Sequence, residues 1–252
     1  KLLANCFAAA IFGSTIATTS TLSMSDIAAA CELEMNPAPI RQTFVVSCTT
    51  KPLPFPRSAQ LYKVVEGLNP PTAEAGNRVI SNDAGWIAKC IDYVIRKRPE
   101  IKNIVIDDMN YIMQDYYMAN SLKQGYDTFK KIGKMMADVF GAIEKSSTVN
   151  FICMGHYEEY RSSAGDDMSY RFKTVGKMTQ DFITPEGKFD IVLFGKQSYN
   201  AQAEEGKKVT KQVVTNYDGQ YPSKSPVGMF DSLTIPNDLG LVISKVDAYY
   251  GI

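Results

Sequence analysis

The chain is expected to fold as α/β, with a mostly parallel sheet flanked by helices and an antiparallel hairpin at the sheet edge. Three observations predict this. Two short, continuous apolar runs, Ile104-Val105-Ile106 and Val149 to Met154, end abruptly at polar residues, as buried parallel strands do at their C-terminal edge. A long helical pattern lies between them, and a strand, helix, strand unit of this kind crosses over right-handedly and sets its strands parallel. Two later strands, Asp190 to Phe194 and Val209 to Asn216, flank the turn-prone AEEGKK and read as an antiparallel hairpin.

Along the chain, residues 1 to about 40 differ in texture from the rest. They are rich in Ala, Ser and Thr, poor in charge, and lack Tyr and Trp. Leu3 to Gly13 reads as a buried first strand, followed by a Ser/Thr-rich turn and a helix from Leu22 to Leu33. The chain opens on Lys1 rather than Met, so its natural start is expected to lie elsewhere. From Thr43 the pattern sharpens. TFVVSC is a strand, KPLPFP a rigid loop, LYKVV a third short strand and residues 66–82 a loop. Asp83 or Asn82 caps a helix through Ile95 that gathers Ile87, Cys90, Ile91, Val94 and Ile95 on one face. Residues 109–146 read as helix interrupted near Gly125, with Phe129, Ile132, Met135, Met136, Val139, Phe140 and Ile143 as its core stripe. A last helix runs from Asn237 to Tyr250. One domain over residues 1–252 accounts for the whole.

Composition narrows the function. With 27 basic and 27 acidic residues the formal net charge is zero, so no global field draws the chain to nucleic acid or membrane. Cys6, Cys31, Cys48, Cys90 and Cys153 form no CxxC pair and the chain has one His, which argues against an ordinary zinc site and a disulfide framework and fits a reducing cytoplasm. The apolar block KLLANCFAAAIFG falls short of the roughly 18 residues that span a bilayer. Its length is compatible with a signal-peptide core, but no membrane association is expected.

Asp107 and Asp108 follow Ile104-Val105-Ile106 directly. In a Walker B strand the first acid holds Mg²⁺ through its water shell and the second lies near the nucleophilic water. The competing reading is that both acids cap the next helix. A phosphate-binding loop should then lie upstream, and one placement fits: Gly13-Ser14-Thr15-Ile16-Ala17-Thr18-Thr19-Ser20, followed by Thr21. It keeps the first Gly and the final hydroxyl, Ser20, of GxxxxGK[ST], but has Thr18 for the second Gly and Thr19 for the Lys. Without that Lys the phosphates lose a point charge, and without that Gly the loop's amides are poorly presented. An ordinary strand-to-helix turn is the equal alternative.

His156 follows the second apolar run at the same edge. It reads either as a side chain that senses a phosphate or positions water, or as a structural loop residue. Tyr157 to Lys173 reads as a long polar loop in which Tyr157, Tyr160, Tyr170 and Phe172 alternate with Arg161, Arg171 and Lys173. That interleaving suits single-stranded nucleic acid, and a solvated surface loop is its alternative. Lys177 and Lys224 are candidates for a charge given to a neighbour's phosphate, or plain surface lysines.

The order of TFVVSCTTKPLPFP, NIVIDDMNYIM, VNFICMGHYEE, ITPEGKFDIVLFG, KQVVTNYDG and SPVGMF resembles phage-encoded RecA-like P-loop ATPases of the Sak type, over roughly residues 43–252. The resemblance implies a RecA-like core, ATP with Mg²⁺, homo-oligomers on single-stranded DNA, phage recombination partners and the host cytoplasm. Carried across, Asp107 looks like the Mg²⁺ acid, Asp108 its catalytic neighbour and His156 the sensor after the next core strand. The upstream loop, which the resemblance does not cover, would add Ser20 as a second metal residue and Gly13, Thr18, Thr19, Ser20 and Thr21 at the nucleotide. The departure at Thr18-Thr19 leaves two expectations open: an ATPase, or a P-loop fold that has lost hydrolysis and serves as a scaffold. An AAA+ remodelling ATPase would need a helical lid after the core, which the hairpin and single terminal helix do not supply.

Overall fold

The computed structural model describes residues 8–14, 42–53, 57–65, 76–123, 125–145, 149–161, 168–202, 204 and 209–251. The strands are β1 (Ala8–Ser14), β2 (Thr43–Ser47), β3 (Arg78–Ile80), β4 (Asn103–Asp107), β5 (Asn150–Arg161), β6 (Met168–Phe172), β7 (Ile191–Tyr199), β8 (Val209–Val214) and β9 (Thr234–Pro236). The helices are α1 (Ser58–Leu61), α2 (Ala84–Lys97), α3 (Asn110–Ala119), α4 (Asp127–Glu144), α5 (Lys177–Ile183) and α6 (Leu239–Tyr250), with a 3₁₀ turn at Pro185–Lys188.

The strands among the described residues join one sheet in the order β3-β2-β4-β5-β1-β7-β8-β9, with β6 paired to β5. The pairings from β3 to β7 along that order are parallel, and β5–β6, β7–β8 and β8–β9 are antiparallel. The expected class is the one observed: a mostly parallel α/β sheet flanked by helices, with an antiparallel hairpin.

Alternation along the central strands explains why they read as unbroken apolar runs. Phe44, Val46, Ile104, Ile106, Phe151 and Cys153 pack beneath α2, α3 and α4, whereas Val45, Val105, Ile152 and Met154 pack on the opposite face with Leu239, Val242 and Val246 of α6. With both faces covered, every position must be apolar. Polar residues enter only where the strands leave the core.

The helix boundaries follow local chemistry. Asp83 accepts a hydrogen bond from the Trp86 amide at 2.7 Å and caps α2, and Arg96 and Lys97 lie in its last turn, favourable ends for the helix dipole. The expected break near Gly125 separates α3 from α4, and Gly125 takes the positive φ of 91° that a side chain disfavours. The terminal helix starts at Leu239, capped by Asp238.

Several expectations fail. LYKVV is not a strand: α1 ends at Leu61, and only Val64 makes a single bridge, to Arg78. The strand of this region is β3, inside what reads from sequence as loop 66–82. Tyr157 to Lys173 is no plain loop either, because β5 runs on to Arg161 and β6 folds back against it. The β7–β8 hairpin does lie toward the sheet edge as expected, and β9 adds one more antiparallel strand beyond it. The helix expected over 22–33 lies outside the described residues.

Candidate functional site

The site lies at the C-terminal edge of the parallel strands, where open α/β sheets gather ligands. β4 ends at Asp107, and Asp108 turns the chain with φ 59°, a left-handed conformation that is uncommon for a residue with a side chain. Helix α3 then begins at Asn110 with Met109 in the cap position, with no side-chain cap bond among the described residues and no acid in its first turn. The helix-cap reading of the two acids therefore fails.

Asp107 is largely withdrawn from water. Burial pushes its carboxyl up to about 7, the charge of Asp108 pushes the same way, and Arg78 and Lys51 pull it down. Arg78 is itself buried, which lowers its affinity for the proton against the attraction of Asp107. Its donors reach Ser47 Oγ at 2.9 Å and the Lys51 carbonyl at 2.7 Å, the satisfaction a buried guanidinium needs. Cys48 lines the same region as a buried thiol. Burial, then the charges of Asp107 and Asp108, hold it protonated and so unreactive.

On the neighbouring strand, β4 and β5 pair as far as Ile106 opposite Cys153. The Met109 amide then donates to the Met154 carbonyl at 3.0 Å, and the next β5 amide on that side, His156, donates to Asn110 Oδ1 at 2.6 Å. Asn110 Nδ2 donates to the Lys173 carbonyl at 2.5 Å, and the Lys173 amide donates to the His156 carbonyl at 2.9 Å. One buried amide thus replaces a ladder partner and joins β5 to the end of β6. Gly155 permits this. A Cβ there would stand 2.4 Å from Phe172 Cε2 and 2.6 Å from Asn110 Oδ1.

The His156 imidazole faces Asp108, with Nε2 at 3.3 Å from Oδ1. Burial lowers its proton affinity, Asp108 raises it, and Lys173 and Lys51 lower it further. Nδ1 is buried without a hydrogen-bond partner among the described residues. Tyr111 meets the imidazole edge-on, with ring centroids 6.4 Å apart, and Lys51 Nζ lies 5.5 Å from the Tyr111 ring centroid. Beside these groups a cleft of about 420 Å³ opens between the ends of β2 and β3 and the side of α3, lined among others by Thr49, Lys51, Asn82, Tyr111 and Asp115.

The structure brings Asp107, Asp108 and His156 together and sets β1 beside them, with Gly13 opposite His156 in the β1–β5 register. Thr18, Thr19, Ser20 and Thr21 lie outside the described residues. Lys177 is the first residue of α5, and the Lys224 backbone pairs with Val192 across 2.8 and 2.9 Å. Among the aromatics expected on a loop, Tyr157 and Phe172 are buried and Tyr170 stacks on Tyr221 at 4.3 Å. Tyr160 remains exposed, with the Arg171 guanidinium 4.8 Å from its ring centroid.

Sequence reasoning missed Asn110, Arg78, Lys51 and Tyr111. Asn110 sits three residues after Asp107, but its partners are 46 and 63 positions away. Arg78 carried a faint signal, a charge beginning the short apolar run RVI. No group of three or more His, Cys, Asp or Glu side chains able to hold a metal occurs among the described residues. Mg²⁺ shared with phosphates needs only one or two carboxylates.

No protein-family model matches the chain, and no curated protein matches it. Among solved structures it is similar to one titled crystal structure of the RadB recombinase, at 10% identity and a TM-score of 0.39 over 83% of this chain and 80% of that one. The architecture stands on the strand order above. No helix among the described residues is long and apolar enough to cross a membrane.

Proposed function

We propose that the chain binds ATP with Mg²⁺ at the shared edge of β1, β5 and β4 and acts as a RecA-like protein on single-stranded DNA, in recombination or replication. One observation carries this reading. Gly13, where the sequence places the start of a phosphate loop, lies in register with His156, whose imidazole is 3.3 Å from Asp108. A phosphate site and an acid site on one edge are what phosphoryl transfer needs.

The residues fit the metal. Asp107 is a carboxylate at the strand's end whose proton is held up to about 7, first by burial and then by the charge of Asp108, and a divalent cation beside it would favour the ionised form. In this reading Asp107 would hold Mg²⁺, with Ser20 as second residue, and Gly13, Thr18, Thr19, Ser20 and Thr21 would border the phosphates. The ion supplies charge neutralisation on the phosphate oxygens. In this reading Asp108 would orient the imidazole through Nε2, and His156 would sense the γ-phosphate or position the attacking water. The exposed Tyr160 with Arg171 offers a stacking and phosphate contact for a single strand, and assembly on DNA would make the chain a homo-oligomer. A phage origin, recombination partners and the host cytoplasm belong to the same reading.

Titration with Mg²⁺ and a labelled ATP analogue tests it, and no binding at millimolar nucleotide sinks it. A second reading rests on Thr18 and Thr19: a P-loop fold without hydrolysis, kept as an assembly scaffold. Phosphate release with and without single-stranded DNA separates the two, because the scaffold turns over no ATP in either condition.

A further inference from the structure

We propose that Lys51, on the loop after β2, supplies the cation that meets the terminal phosphate of a nucleotide bound at this edge. The assignment rests on the nucleotide reading above and names a residue that reading does not use. It begins from a charge deficit. Thr19 stands where a P-loop Lys would carry the point charge for the β and γ phosphates, so a triphosphate here needs its cation from elsewhere.

Lys51 is placed for that role by its backbone. The Cys48 amide donates to the Asp107 carbonyl at 2.9 Å, and Arg78 holds both Ser47 Oγ and the Lys51 carbonyl. The segment from Ser47 to Lys51 is thereby tied to the strands on both sides of β2. Its side chain runs toward the acids, with Nζ 5.5 Å from the Tyr111 ring centroid and the Tyr111 ring edge-on to His156. The ammonium is close enough for its charge to act on both Asp107 and His156. Among the described residues it makes no ion pair, so the charge is not already spent on a carboxylate. Resting over an aromatic face keeps an ammonium oriented with little desolvation, and it is free to move onto a phosphate oxygen as a point charge.

The test compares the full chain with Lys51→Ala and Lys51→Arg, titrating each with labelled ATP and labelled ADP in Mg²⁺. The wild type is expected to prefer the triphosphate. Lys51→Ala weakens ATP binding by about tenfold, the size of a lost charge-assisted contact, and leaves ADP binding unchanged, while Lys51→Arg restores most of the preference. Equal loss for both nucleotides, no loss for either, or a wild type without preference overturns the assignment and leaves nucleotide binding standing. A wild type that binds neither nucleotide overturns the proposed function, and this assignment with it. Lys51 is exposed, so the melting temperature of both variants should match the wild type.

Discussion

β4 and β5 are adjacent, parallel and in register from Asn103 opposite Asn150 to Ile106 opposite Cys153, yet they leave the core in opposite ways. β4 stops. Its chain bends left-handed at Asp108 and presents one carboxylate from the last strand residue, Asp107, and one from the turn. β5 continues for eight residues past Cys153, through Gly155 and His156 to Arg161, and presents its imidazole from a hydrogen-bonded ladder. The lesson is that one sheet edge carries an acid on a left-handed turn and its histidine partner on a hydrogen-bonded strand, with Asn110 fastening the two.

The largest test of that contrast is Asp107→Asn, at the end that stops. The native carboxyl holds its proton up to about 7, above the ordinary value of about 4, so folding binds the proton more tightly and native stability falls as pH rises between those values. Without nucleotide or divalent ions, the variant should therefore exceed wild type by up to about 4 kcal/mol at pH 8 and by about 2 kcal/mol at pH 5. Urea denaturation at the two pH values measures this, and a gap independent of pH would refute it. The same variant should lose Mg²⁺-dependent nucleotide binding.

Next is Gly155→Ala, at the end that continues. The new methyl meets the Phe172 ring and the Asn110 amide, and overpacking of this kind costs about 3 kcal/mol. Gly141→Ala is its control, since nothing lies within 4 Å of a Cβ there on α4, and it should gain about 1 kcal/mol from helix propensity. Thermal melts that rank the two alike would show that the Asn110 clamp is loose.

The smallest effect belongs to Asp108→Gly, which relieves the left-handed backbone for about 1 kcal/mol. It also removes the charge that raises His156's proton affinity, so the imidazole should titrate at lower pH than in wild type. His156 is the chain's single histidine, and its NMR titration is unambiguous. An unchanged midpoint would mean that the Asp108 contact does not form in solution.

Much of the fold was legible because burial on both faces leaves a plain mark. Ile104-Val105-Ile106 and Phe151 to Met154 could only be central strands, and Asp83 and Gly125 mark helix boundaries with local chemistry. β3 escaped notice because three residues, RVI, carry no period, and because its partner β2 lies more than thirty positions away. The β5–β6 hairpin was read as loop because its residues are polar and solvated, leaving backbone pairing as the only sign of a strand. At the site, Asp107, Asp108 and His156 announce themselves by following apolar runs. Arg78, Asn110 and Lys51 do not, since each acts through a contact that only the folded chain creates.

The serial pairing of β5 also bears on which backbone groups the strand leaves open. A twelve-residue strand is a ready template for another chain's backbone wherever one of its edges lies bare. On the side where β4 departs, the edge passes from β4 to Met109, then to the Asn110 amide, then to Lys173 and β6, so no run of unpaired amides is offered to a second molecule. The narrowest link along that line is a single side chain, Asn110, whose loss would leave the His156 amide without its partner between two otherwise continuous runs of pairing.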